Sequence, residues 1–85
     1  MKTEEELRKP FDPDVLAEAT ALAGRYHYNA ERHNELGFIG NTTEMKNVYA
    51  DAVTLAKCLE ETKEATITTI ATMIENNIAP PEPAE

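Results

Sequence analysis

The sequence predicts an α+β fold: an N-terminal helix, a three-stranded antiparallel meander and a long amphipathic helix. Three observations lead there. Apolar residues recur at spacings of three and four from Val15 to Ala23, and again from Leu55 to Ile74. Between these stretches the period drops to two, as in a half-buried strand. Only short polar turns separate the central segments, which suits neighbouring antiparallel strands rather than crossovers.

The first helix is predicted over residues 13–23. Asp12 can accept from the orphan N–H groups of the first turn, Pro13 fits the first helical position, and Asp14 complements the helix dipole. Val15, Leu16, Ala19, Leu22 and Ala23 form its apolar face, and Gly24 is its stop. Residues 1–12 read as a flexible, charged lead that carries Glu4, Glu5 and Glu6.

From Arg25 onward, Tyr26, Tyr28 and Ala30 share one face, while Arg25, His27, Asn29 and Glu31 share the other. This predicts a first strand over 25–31, followed by the polar turn Arg32-His33-Asn34-Glu35. A second strand spans 36–42. Gly37 and Gly40 within it signal a bulge or a close backbone approach. A third, weaker strand over 43–48 has Met45 and Val48 as its apolar anchors.

The long helix is predicted over 55–76, with Thr54 as N-cap and no Gly or Pro before Pro80. Leu55, Cys58, Leu59, Thr62, Thr66, Ile70, Met73 and Ile74 form its inner face; Lys57, Glu60, Glu61, Glu64, Thr68 and Glu75 form its wet side. The run 65–70 is rich in β-branched residues with strand propensity, but the spacing of Ile67, Ile70, Met73 and Ile74 is helical and decides. Asn76 and Asn77 are terminators, and Pro80-Pro81 forbids continuation. Residues 13–78 form a single domain, and the proline-rich tail 79–85 is extended or disordered.

Composition narrows the function. Sixteen acidic residues against eight basic ones leave a net charge of −8, which repels phosphate backbones and disfavours nucleic-acid binding by this chain alone. No window reaches ~18 uninterrupted apolar residues, so no spanning helix is expected. The start lacks the apolar stretch of a secretory signal, and the single Cys58 cannot form an internal disulfide, so the expected compartment is the reducing cytoplasm. A chain this short, with neither tryptophan nor cross-link, builds a small core, and a homo-oligomer (dimer or tetramer) is the expected supplement.

No catalytic residue, metal ligand set or cofactor site is assigned. Cys58 lies on the apolar side of the long helix and reads as core. His27 and His33 flank the first strand without metal spacing and read as surface residues. Gly37 and Gly40 form a GxxG that lacks the lysine and further glycines of a phosphate loop. Glu31, Glu35, Glu44 and Asp51 fall near strand ends and border the sheet, with Lys46 the one cation among them; these five are the candidate partner-binding residues. A sheet of three strands also leaves edges that can pair with another chain.

An ordered series carries a resemblance. Tyr26-His27-Tyr28 is followed by Glu35-Leu36-Gly37-Phe38-Ile39-Gly40, then by Glu44-Met45-Lys46-Asn47-Val48. Asp51-Ala52-Val53-Thr54, a long helix and Pro80-Pro81-Glu82-Pro83 complete it. This resembles the HicB family of antitoxins, particularly its small single-domain members, over about two-thirds of the chain. The chain departs from the family pattern in three places. Lys46 replaces a proline, Ala52-Val53 replaces the glycine before the helix-starting threonine, and Ala56-Lys57 replaces acidic residues at the helix start.

The resemblance implies a partial ribonuclease-H-like fold without the full catalytic acids, and a fourth strand after the long helix, for which 78–83 is the candidate. It implies a partner: a small basic HicA-type toxin, an mRNA-cleaving ribonuclease. It also implies that the C-terminal DNA-binding module of longer family members has no counterpart here. Three functions therefore compete. The first is an antitoxin-like inhibitor. The second is a solitary homo-oligomer of the same fold with a structural or regulatory role. The third is a hydrolase or nuclease using Glu44, Asp51 and a metal.

Overall fold

The chain runs α1 (Pro13–Ala23), β1 (Tyr28–Asn34), β2 (Gly37–Thr42), β3 (Met45–Ala52) and α2 (Leu55–Glu75), an α+β arrangement. A computed structural model describes residues 11–35 and 37–84. The lead expected over 1–12 lies outside the described residues except for Phe11 and Asp12.

Asp12 caps α1 as expected, its side chain accepting from the Asp14 N–H at 2.8 Å, with Pro13 in the first turn. Gly24 ends the helix with right-handed torsions, φ −66° and ψ −17°. Its special freedom is therefore not used. Tight turns close the end instead: Arg25 N–H donates to Leu22 O and Tyr26 N–H to Ala23 O. Those bonds remove Arg25 and Tyr26 from the first strand, which begins at Tyr28 rather than at residue 25.

The sheet order is β1-β2-β3, antiparallel throughout. β1 continues through most of the expected polar turn to Asn34, because Arg32 pairs with Phe38 and lays its guanidinium 4.9 Å from that ring's centre. β3 runs from Met45 to Ala52, four residues further than expected. Its register explains how Met45 and Val48 can both be buried although three residues apart. Thr42 pairs with Met45 but Asn41 pairs with Tyr49, so residues 46–48 bulge out of the ladder. The bulge restores the inward face for Val48 and turns Tyr49 outward.

Thr54 caps α2 by accepting from Lys57 N–H at 3.1 Å. The helix lies across all three strands, and α1 packs on α2. The buried face of α2 is Cys58, Thr62, Thr66, Ile67, Ile70 and Ala71. Leu55 is 46% exposed, so it is not the inward anchor its spacing indicated, and Leu59 and Met73 are only half-buried. The reason is close approach. A Cβ on Gly40 would sit 2.5 Å from Thr62 Oγ1 and 3.0 Å from Cys58 Sγ, so only short side chains fit where helix meets sheet. Within the helix the threonine hydroxyls are satisfied by donating to carbonyls one turn back: Thr62 to Cys58, Thr66 to Thr62 and Thr69 to Ala65.

α2 ends in a Schellman motif. Asn77 adopts φ +58°, its N–H donates to Ile74 O, and the Ile78 N–H donates to Met73 O at 2.9 Å. This turn sends the tail back along the domain. Residues 78–83, the candidate fourth strand, join no ladder. They are held at separate points instead, since Pro80, Pro81 and Pro83 lack the N–H groups a ladder needs.

Candidate binding surface

The long helix α2 covers one face of the sheet, with α1 packed on α2. Gly40, Ala50 and Thr42 mark that inner face: Gly40 meets Thr62, Ala50 O accepts from Cys58 Sγ at 3.7 Å, and Thr42 meets Thr66. Alternation therefore turns Asn29, Glu31, Ile39, Asn41, Tyr49 and Asp51 to the other face. The register sets them in two rows, Asn29–Asn41–Tyr49 and Glu31–Ile39–Asp51. Among the described residues, no element packs on this outer face. Tyr49 is 66% exposed on the edge strand β3, and Val53, just beyond that strand, is 77% exposed.

Of the candidate partner-binding residues, Glu31 and Lys46 share one shallow depression with Asn29, Ile39, Asn41 and Tyr49. Asp51 borders a neighbouring hollow with His33, Asn34, Gly37 and Val53. Glu35 is exposed in the β1–β2 turn. The outer face thus sets Ile39 between Glu31 and Asp51, with Tyr49 diagonal to it beside Asn41 and Asp51, and Lys46 adds a cation at one end.

Glu44 departs from the expectation that it borders the sheet as a rim charge. It sits in the β2–β3 turn, and its side chain is only 2% exposed. Oε1 accepts from the His27 N–H at 3.0 Å; Oε2 accepts from the Ala84 N–H at 2.7 Å and lies 2.9 Å from His27 Nδ1. Burial pushes the carboxyl up, but the hydrogen bonds from the His27 backbone and ring, and from Ala84, outweigh it and hold the group at about 2. Glu44 is a hub that fastens the start of β1 and the tail to one turn. Asp51 lies near Gly37 at the opposite end of the sheet, so the two acids of the hydrolase reading do not converge. Among the described residues, no group of three or more His, Cys, Asp or Glu side chains is placed to hold a metal ion.

Composition and periodicity missed two contacts of the tail: Tyr26 Oη donates to Pro81 O at 2.6 Å, and Ala84 reaches Glu44. The legible signal was Asn77 before a proline-rich segment, since asparagine tolerates the left-handed turn that folds a tail back. Among the described residues, no helix is long and apolar enough to cross a membrane. Comparison of the chain with protein-family models, curated proteins and solved structures finds no match in any of the three.

Proposed function

We propose that this protein is a non-catalytic binding module that docks a small basic protein on the outer face of its sheet. The observation that carries this reading is the uncovered outer face, where Ile39 lies between Glu31 and Asp51 and the exposed Tyr49 stands diagonally beside it on the edge strand, on a chain of net charge −8. Apolar contact through Ile39 and Tyr49 with acids beside it suits a basic surface, the acids accelerating encounter and the aromatic supplying affinity. The resemblance to HicB antitoxins makes a basic HicA-type toxin the partner, and inhibition of its RNA-binding face in the cytoplasm the role. DNA binding by this chain alone forms no part of the proposal.

The test begins with the neighbouring reading frame. A basic protein of under roughly 100 residues, the small-domain range, should be encoded there and should bind this chain. Tyr49→Ala should abolish that binding and leave the fold intact. A partner that binds Tyr49→Ala as tightly as the wild type would overturn the proposal.

A second reading, a homo-oligomer without a toxin, is favoured by Lys46 lying on the same face as Glu31. A two-fold interface must be self-complementary, and a face carrying both signs can be. Sedimentation of wild type and Lys46→Glu distinguishes it: a dimer dissociated by the reversal supports self-association.

A further inference from the structure

The C-terminal segment meets the domain in an unusual way. Residues 79–84 contain three prolines, so only Ala79, Glu82 and Ala84 keep an N–H to donate. The segment cannot zip onto a strand edge. Two single hydrogen bonds about three residues apart hold it: Pro81 O accepts from Tyr26 Oη, and the Ala84 N–H donates to Glu44 Oε2. Its origin is a one-residue hinge, Asn77 at φ +58°. Loss of the Ala84 pin leaves the segment tied only through Tyr26, the turn at Asn77 and the partial burial of its prolines.

The second pin is shared with the sheet. The same Glu44 carboxylate accepts from the His27 N–H before β1, and Glu44 closes the turn that leads into the 46–48 bulge. That bulge carries Lys46 and delivers Tyr49 to the outer face. The ionisable groups facing Glu44 are His27, Tyr26 and Tyr28, with Glu82 from the strap acting on Tyr26.

We infer that residues 78–84 form a detachable strap, latched by Tyr26 and Glu44, whose closure holds the β2–β3 turn and with it the bulge that shapes the outer face. The inference rests on the proposed docking role for the significance of that face, but the latch itself belongs to the free chain. A partner engaging Lys46 and Tyr49 would feel whether the strap is shut, and the strap would in turn feel the partner, because coupling between two sites is reciprocal.

The experiment uses the full chain in solution, followed by amide exchange and 15N relaxation, with no partner present. In the wild type, Glu82 and Ala84 should be as rigid as the end of α2. Ala84→Pro removes the donor from the tail side and leaves the sheet and Glu44 in place. It should free Glu82 and shift the amides of Lys46, Asn47 and Tyr49. Glu44→Gln places an amide –NH₂ opposite one of the donors. It should speed exchange of the Ala84 amide by about tenfold or more, the scale of one charge-assisted hydrogen bond. A tail already mobile in the wild type, or still rigid in Ala84→Pro, would overturn the latch. Shifts confined to residues 78–85 would overturn its coupling to the bulge. Neither result depends on a partner, so failure of the docking proposal would show separately, in the Tyr49→Ala binding measurement.

Discussion

Thr42 Oγ1 lies 2.6 Å from Thr66 Oγ1, and both residues are fully buried, so β2 and α2 meet through a hydrogen bond between hydroxyls. Thr66 already donates to Thr62 O, which leaves Thr42 as the donor across the interface. Thr66→Val keeps the volume but strands the Thr42 hydroxyl, and should cost about 1–3 kcal/mol. The double variant Thr42→Val/Thr66→Val removes both partners and should be more stable than the sum of the singles. Urea denaturation of the four-member cycle measures the coupling, and strict additivity would show that the bond contributes nothing.

Gly40 should tolerate no side chain. Its Cβ would press on Thr62 Oγ1 and Cys58 Sγ, both on a buried helix face with little room to retreat. Gly40→Ala should destabilise by about 1–3 kcal/mol, the usual scale of overpacking. Adding Thr62→Ala should restore part of the loss, and the denaturation midpoints of the single and double variants decide it.

The buried face of α2 ranks its residues differently from apolar spacing alone. Ile70 is fully buried, Leu59 half-buried and Leu55 46% exposed. Ile70→Ala should cost about 2–5 kcal/mol, Leu59→Ala less, and Leu55→Ala under about 0.5 kcal/mol. An equal loss at Leu55 and Ile70 would place the helix on the wrong face.

Glu44 should give stability a distinct acid limb. Its carboxyl titrates at about 2 in the folded chain against an ordinary value of 4.5, so the folded state binds that proton more weakly than the unfolded chain. Its stabilisation is complete above the ordinary value and disappears as pH falls toward 2. It amounts to about 3 kcal/mol at 1.36 kcal/mol per unit. Denaturation midpoints at about pH 6 and about pH 3 should therefore fall further for wild type than for Glu44→Gln. Parallel profiles would show that the carboxylate's partners do not hold it.

Docking of a basic partner should depend on salt through its on-rate. Glu31 and Asp51 flank Ile39 and are exposed, so screening should slow encounter while leaving dissociation nearly unchanged. Glu31→Lys/Asp51→Lys should reduce the on-rate at low salt by about tenfold or more. An on-rate indifferent to salt and to both reversals would place the partner elsewhere.

Element type and order were readable from local signals. The Asp12-Pro13 cap, the Thr54 cap and the three-and-four spacing act within a few residues, and such interactions survive in any tertiary setting. The alternation that put Tyr28 and Ala30 opposite Asn29 and Glu31 is equally local, and so was the choice of Glu31, Lys46 and Asp51 as surface charges.

Strand limits, the exclusion of Leu55 from the inward face of α2 and the fate of Glu44 were decided across the fold. β1 starts late because Arg25 and Tyr26 are spent closing α1, and it runs on because Phe38, on the next strand, receives Arg32. β3 admits Met45 and Val48 together only because β2 lets residues 46–48 bulge. Threonine displaced leucine from the helix–sheet contact because Gly40 brings the backbone too near for a longer side chain. Glu44 looked like one acid among sixteen. Its donors come from residues 17 positions before and 40 positions after it, and no local pattern encodes a carboxylate whose partners are that far apart along the chain.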